Sequence, residues 1–249
     1  MPVLQFPDPE EATHDGIVAI GGDLHPDSLR LAYSQGIFPW PHEGMPLLWF
    51  SPPERAILDF SLLHVPRRLA RTRRSSGLRF TIDAAFDEVI SACQQSPRTG
   101  QEGTWITKKL KAAYCMAHRL GFVHSVEAWS SAGDLVGGLY GVDGGGIFAG
   151  ESMFYRESDA SKLALLFLVE HLAMRGATFM DIQMMTPHMK ALGAVEVPRH
   201  QFLKRLSSEK ARGLTLFDTS ADPGSRKEGV SGGEIPALPS ARRDDPPRP

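Results

Sequence analysis

Cysteine is scarce in this chain: only Cys93 and Cys115 occur among 249 residues. Both fall on what read as apolar helix faces, so reduced core thiols are expected, not a disulfide or a nucleophile. Without histidines at ligand spacing they cannot build a structural zinc site, and neither metal nor cofactor is expected. Long apolar runs are missing too. No uncharged apolar stretch approaches the roughly 18 residues of a membrane span, and no charged-then-apolar leader is visible. A cytoplasmic protein without membrane contact is therefore expected. The net charge of −2 announces no nucleic-acid partner by itself. Internal repeats are absent. The 42% apolar share is enough to bury a sizeable core.

The stretch 134–183 organises the rest. It predicts a strand from Asp134 to Val142, a glycine turn at Asp143–Gly146, and a second strand from Ile147 to Phe154. A helix follows from about Asp159 to Arg175, closed by Gly176, and then a third strand, Ala177–Gln183. Glu151, Asp181 and Gln183 lie inside these apolar segments, where polar groups need partners. Asp181 and Gln183 are two apart, so on a strand they are expected to face the same way. Taken by themselves they fit a structural hydrogen-bonded pair as well as a site.

Charge is uneven along the chain. Arg67, Arg68, Arg71, Arg73, Arg74 and Arg79 occur with no acidic residue between Asp59 and Asp83. On a helix started near Pro66, Arg67, Arg71 and Arg74 share a face with Arg68 beside it. A solvated helix face is the plain alternative, but such faces usually mix signs. A one-signed run is the footprint of phosphate binding.

Elsewhere the chain punctuates itself clearly. Residues 1–25 are loop-like, and a short helix covers Asp27–Gln35. Trp40 and Trp49 sit in aromatic-rich loops and suit either packing or base stacking. A strand at Leu78–Ile82 leads to a helix expected to be capped by Asp83. Thr107 is the expected cap of the next helix. Beyond Gln183, a short helix from Thr186-Pro187, a strand near Ala194–Val197 and a helix from about Arg199 to Ser208 are predicted. Residues 218–249 are rich in Pro, Gly, Ser and charge and are expected to be disordered. The element order after residue 104 implies a mixed sheet with helices packed on it.

An ordered set of motifs resembles one family. It comprises Gly21-Gly-Asp-Leu24, Tyr33, Gly36-Ile-Phe-Pro-Trp40, Trp49-x-Ser51-Pro52, Arg55, Thr104-Trp-Ile-Thr107, Gly150-Glu-Ser-Met-Phe154, Ala160-Ser-Lys162, Asp181-x-Gln183, His188 and Leu192-Gly-Ala194. Over roughly residues 4–207 this is similar to the leucyl/phenylalanyl-tRNA–protein transferases. The chain departs from their usual pattern at Ile182, at Phe50 and at Thr186-Pro187.

The resemblance implies an α+β protein. A small N-terminal domain, 1–65, would precede a GNAT-like mixed-sheet catalytic domain, 66–210, with the boundary somewhere between 60 and 100. It implies transfer of Leu or Phe, and less of Met, from aminoacyl-tRNA to proteins beginning with Arg or Lys, an N-end-rule degradation signal. A monomer is expected. Asp181, Gln183 and Glu151 would be catalytic, with Gln183 bonding the attacking amine through its oxygen and Asp181 orienting it or holding the amine. Leu139, Phe148, Met153, Leu165, Leu168, Leu172 and Met180 would line the aminoacyl pocket, although spacing alone makes them ordinary core. Tyr33, Trp40, Trp105 and Tyr114 would meet the tRNA acceptor end. Arg67, Arg68, Arg71 and Arg74 would hold its backbone. Glu151, with Glu157 and Asp159 close behind it, would make the amine site acidic.

Three other readings compete. A CoA-dependent N-acetyltransferase on the same fold would need a pyrophosphate cradle after the hairpin, but Tyr155–Ser161 holds Glu157 and Asp159 and no glycine. A non-catalytic module binding RNA or N-termini would use the arginines and leave Glu151, Asp181 and Gln183 without a task. A peptide-bridge transferase would also use aminoacyl-tRNA on a similar fold.

Overall fold

The computed structural model describes residues 1–42, 44–96 and 104–218, and the backbone of 230–231. The expectation for the 218–249 tail therefore falls almost wholly outside the described residues. The strands are β1 (Ile17–Ile20), β2 (Phe38–Pro39), β3 (Leu48–Phe50), β4 (Glu54–Asp59), β5 (Arg79–Ile82), β6 (Val123–Trp129), β7 (Leu135–Asp143), β8 (Phe148–Tyr155), β9 (Phe179–Gln183), β10 (Val195–Pro198) and β11 (Val230–Ser231). The helices are α1 (Pro26–Ser34), α2 (Arg67–Ser75), α3 (Phe86–Gln95), α4 (Lys108–Arg119), α5 (Ala160–Met174), α6 (Pro187–Ala191) and α7 (Arg199–Ala211).

A three-stranded sheet, β1-β3-β2, stands beside an eight-stranded sheet of order β10-β4-β9-β8-β7-β6-β5-β11. Every neighbouring pair in the large sheet is antiparallel except β8 with β9, which is parallel and joined through α5. This is the mixed sheet that the element order implied. One apolar cluster packs α5 and Leu69 of α2 on one face. A second unites α1, α3, α4 and Trp49 on the other. β4 lies between β10 and β9, so the chain enters the large sheet at Glu54.

Two of the bulges in the large sheet position the site. Between β7 and β8 the register runs Tyr140 with Ser152, then Gly141 with Gly150, which leaves Glu151 extra. Between β4 and β9 it runs Ala56 with Gln183, then Ile57 with Asp181, which leaves Ile182 extra. Bulges of this kind bend a strand and re-aim its side chains. The parallel ladder pairs only Ala149 with Asp181. The residues that follow on both strands line a cavity instead.

One capping expectation is overturned. Asp83 does not cap α3, and Ala85, which stands at the cap position, gives no side-chain bond. Glu127, buried in β6, accepts from the backbone N–H groups of Ala84 and Ala85 at 3.3 and 3.4 Å. Asp83, at φ 58°, bonds Nδ1 of His124 at 2.7 Å and accepts from the Ser125 N–H at 2.9 Å. The Thr107 cap is present, accepting from the Leu110 N–H at 3.1 Å.

Candidate active site

A cavity of about 760 Å³ opens between β7, β8, β9 and the start of α5, a size ordinary for a ligand site. Leu139, Met153, Leu165 and Met180 supply an apolar wall. Phe148, Leu168 and Leu172 are buried in the core behind them and do not reach the cavity. For these three the ordinary-core alternative holds. Leu168 and Leu172 share the helix and spacing of Leu165, and Phe148 shares the strand of Met153, so sequence could not separate wall from backing.

Aromatic planks stand at one end. Trp40 and Trp105 line the cavity, and the Phe50 ring meets Trp40 edge-on at 5.5 Å. Trp49 instead is 1% exposed and donates its indole N–H to the Gly21 carbonyl at 2.9 Å, a packing role. Tyr33 and Tyr114 are both buried behind the wall. Their hydroxyls meet at 2.6 Å, and Tyr114 donates to Oε2 of Glu151 at 2.9 Å.

The three polar residues are joined by hydrogen bonds, but only Glu151 and Gln183 line the cavity. Arg55 donates Nε and Nη2 to the two oxygens of Asp181 at 2.8 and 2.6 Å. The guanidinium is sandwiched between the rings of Phe38 and Phe202, at 4.7 and 4.6 Å. Asp181 also accepts from the Gln183 backbone N–H at 2.9 Å. It is not part of the cavity wall. Gln183 does line the cavity and donates its side-chain N–H to Oε1 of Glu151. The same-face expectation for Asp181 and Gln183 fails because Ile182 is a bulge residue and Gln183 has φ 62°. A positive φ is costly for a side-chain-bearing residue, and here the hydrogen bonds of Asp181 and Glu151 hold it. Burial pushes Glu151 up to about 7, against the pull of the Tyr33, Tyr114 and Gln183 hydrogen bonds.

Ser158, Asp159, Ser161, Lys162 and His188 also line the cavity. Asp159 binds Lys162 at 2.7 Å and Arg68 at 3.6 Å, so its charge is neutralised locally. Burial and the Lys162 charge lower the pKa of His188. Arg67, Arg68, Arg71 and Arg74 lie along α2, and Arg68 is the most solvent-facing of the ion-paired arginines at 82%. Arg73 points elsewhere, to buried Glu170 at 2.6 Å. Sequence reasoning gave Arg55 no role; an arginine opening the apolar strand Ala56-Ile-Leu58 was the available signal.

Residues 57–207 match the family described as leucyl/phenylalanyl-tRNA protein transferase, and residues 22–53 match its N-terminal domain. A leucyl/phenylalanyl-tRNA–protein transferase of Maridesulfovibrio salexigens is 51% identical over 201 residues, 81% of this chain and 84% of the relative. One from Anaeromyxobacter sp. strain Fw109-5 is 46% identical over 227 residues, 91% and 96% of the two chains. The solved structure of L-PGS from Bacillus licheniformis superposes with a TM-score of 0.36 at 13% identity, over 63% of this chain and 49% of that one, too distant to support any argument. The α+β chain with its cavity is thus an aminoacyltransferase. It belongs to the leucyl/phenylalanyl-tRNA–protein transferase family. No helix among the described residues is long and apolar enough to cross a membrane.

Proposed function

We propose that the chain moves leucine or phenylalanine, and less readily methionine, from aminoacyl-tRNA to proteins whose first residue is arginine or lysine, which marks them for N-end-rule degradation. The observation that carries this is Gln183 on the cavity wall, with its amide N–H committed to Glu151 and its oxygen left for a donor. The donor side chain lies against Leu139, Met153, Leu165 and Met180, where unbranched methionines adapt to both Leu and Phe. Trp40 and Trp105 receive the terminal base by stacking. The arginines of α2, of which Arg68 meets Asp159 of the cavity lining, follow the tRNA backbone.

An aminoacyl ester is already activated, so the enzyme needs no covalent intermediate. An α-amine of pKa ~7.7–8.0 has an appreciable neutral fraction near pH 7. The Gln183 oxygen orients that amine toward the ester carbonyl. Asp181, held by Arg55, acts on Gln183 by fixing its backbone. Glu157, exposed in the loop after β8, and Glu151 favour a cationic first side chain.

The same reading takes the large sheet as GNAT-like and places the chain in the cytoplasm as a monomer. We move the domain boundary from the expected 60–100 to just before β4, because β4 ladders with β9 and β10. The test is incubation with labelled Leu-, Phe- and Met-tRNA and a peptide beginning with Arg. Label at the peptide N-terminus is expected from Leu and Phe. No transfer from any of them, or acetyl transfer from acetyl-CoA in its place, contradicts the proposal.

A further inference from the structure

We propose that Glu151 carries the proton of the transfer reaction, and that the linked hydroxyls of Tyr114 and Tyr33 position and tune it for that task. This rests on the reading above that the cavity holds ester and amine together.

The two carboxylates of the site are built for opposite purposes. Asp181 has both oxygens gripped by the Arg55 guanidinium and is excluded from the cavity wall. Glu151 is the unpaired residue of the β7–β8 bulge and lines the cavity. Among the described residues no cation pairs with it. Its two oxygens take neutral donors only, the Gln183 amide and the Tyr114 and Tyr33 hydroxyls. The two hydroxyls also meet each other at 2.6 Å, where either one can donate. The result runs from the cavity inward: Gln183, Glu151, and then the paired hydroxyls of Tyr114 and Tyr33.

The groups facing Glu151 are Tyr33 on α1, Tyr114 on α4, Tyr140 on β7 and Asp181 on β9, the last with Arg55 of β4 behind it. A buried carboxylate without a counter-cation holds protons more tightly. Burial brings Glu151 to about 7, the Asp181 charge adds to the rise, and the two phenols and Gln183 oppose it. Both phenols are themselves pushed well above their ordinary range, by burial first and then by Glu151, so they remain protonated donors. A group that titrates near 7 is matched to an amine of pKa ~7.7–8.0, the condition for effective proton transfer.

The step balances within the substrates. The amine nitrogen bonds to the ester carbonyl carbon while Gln183 holds one of its N–H groups. One amine proton passes to ionised Glu151. The carbon–oxygen bond to the ribose then breaks, and Glu151 returns the proton to the departing ribose oxygen. Glu151 ends ionised, as it began, and the products are an amide and a free ribose hydroxyl.

The experiment is the pH dependence of kcat/KM with charged tRNA and two Arg-initiated peptides whose α-amines differ in basicity. An enzyme limb stays in place when the peptide changes, whereas an amine limb moves. Wild type should show an enzyme limb near pH 7. Glu151→Gln should lose that limb and about 100-fold in rate. Glu151→Asp should retain a limb. Tyr114→Phe should move the limb about 0.5–1 pH unit upward, the size one lost hydrogen bond supplies. The Tyr33→Phe, Tyr114→Phe double variant leaves no hydroxyl stranded and should move it the same way. An intact limb in Glu151→Gln, or an unmoved limb in both tyrosine variants, overturns the proposal alone. No transfer by wild type from any charged tRNA overturns the underlying reading and the proposal with it.

Discussion

Arg55 and Asp181 form a two-point ion pair at 2.8 and 2.6 Å, with side chains 1% and 4% exposed. The pair ties β4 to β9 directly beneath Gln183. Removing one member leaves a buried charge unpaired, so Asp181→Ala and Arg55→Ala should each lose about 3–5 kcal/mol of stability. The double change Arg55→Met, Asp181→Leu should recover most of that loss in chemical denaturation. Its activity should stay low, because the Gln183 N–H has lost its acceptor.

Glu151 predicts a stability trend opposite to that of a paired carboxylate. Its proton is held up to about pH 7 when folded, against 4.5 for an ordinary glutamate. Between those values the folded state binds more protons than the unfolded chain, so stability falls as pH rises from 4.5 to about 7. At higher pH the full penalty remains. Glu151→Gln should therefore stabilise the fold near pH ~8, by at most ~3 kcal/mol, and have little effect near pH ~4. Melting curves at the two pH values check this.

How far the sequence was legible varied with the kind of feature. Strand and helix order after residue 104 could be taken from periodicity and glycine punctuation, because those signals are local. The N-terminus of α3 could not. Glu127 caps it from a neighbouring strand, a partner 42 residues away in sequence. The bulges at Glu151 and Ile182 were equally hidden, since they depend on register against a partner strand. Alternation alone therefore put Asp181 and Gln183 on one face. The motifs containing Gln183, Glu151 and the tryptophans did locate the cavity. They could not show that Tyr33 and Tyr114 stand behind the wall.

The arginine face of α2 yields a salt prediction. Replacing Arg67, Arg71 and Arg74 with Ala should weaken tRNA binding. The log–log salt slope should fall by roughly 0.7–0.9 for each phosphate that is no longer neutralised. Arg73→Ala should act on stability instead, because Arg73 serves buried Glu170. Binding titrations at several salt concentrations separate the two.

Gly137 lets α5 approach the sheet. A Cβ there would lie 2.7 Å from the Ala160 Cβ and 3.0 Å from the Ser161 nitrogen. Gly137→Ala should destabilise the fold by about 1–3 kcal/mol through overpacking. It should also raise KM for the charged tRNA, since the first turn of α5 carries Ser161 and Lys162 at the cavity border. Thermal melts and steady-state kinetics on the same variant check both effects.

The central claim is that transfer takes place at Gln183, inside the cavity. The direct measurement is the single-turnover rate of labelled phenylalanine transfer from saturating Phe-tRNA to an Arg-initiated peptide, in wild type and Gln183→Ala. Affinity for the charged tRNA is measured alongside. The expected result is a rate loss of about 100-fold with tRNA affinity nearly unchanged, because the proposal assigns the hold on the tRNA to Trp40, Trp105 and the α2 arginines. A Gln183→Ala enzyme that transfers phenylalanine at the wild-type rate would contradict the claim.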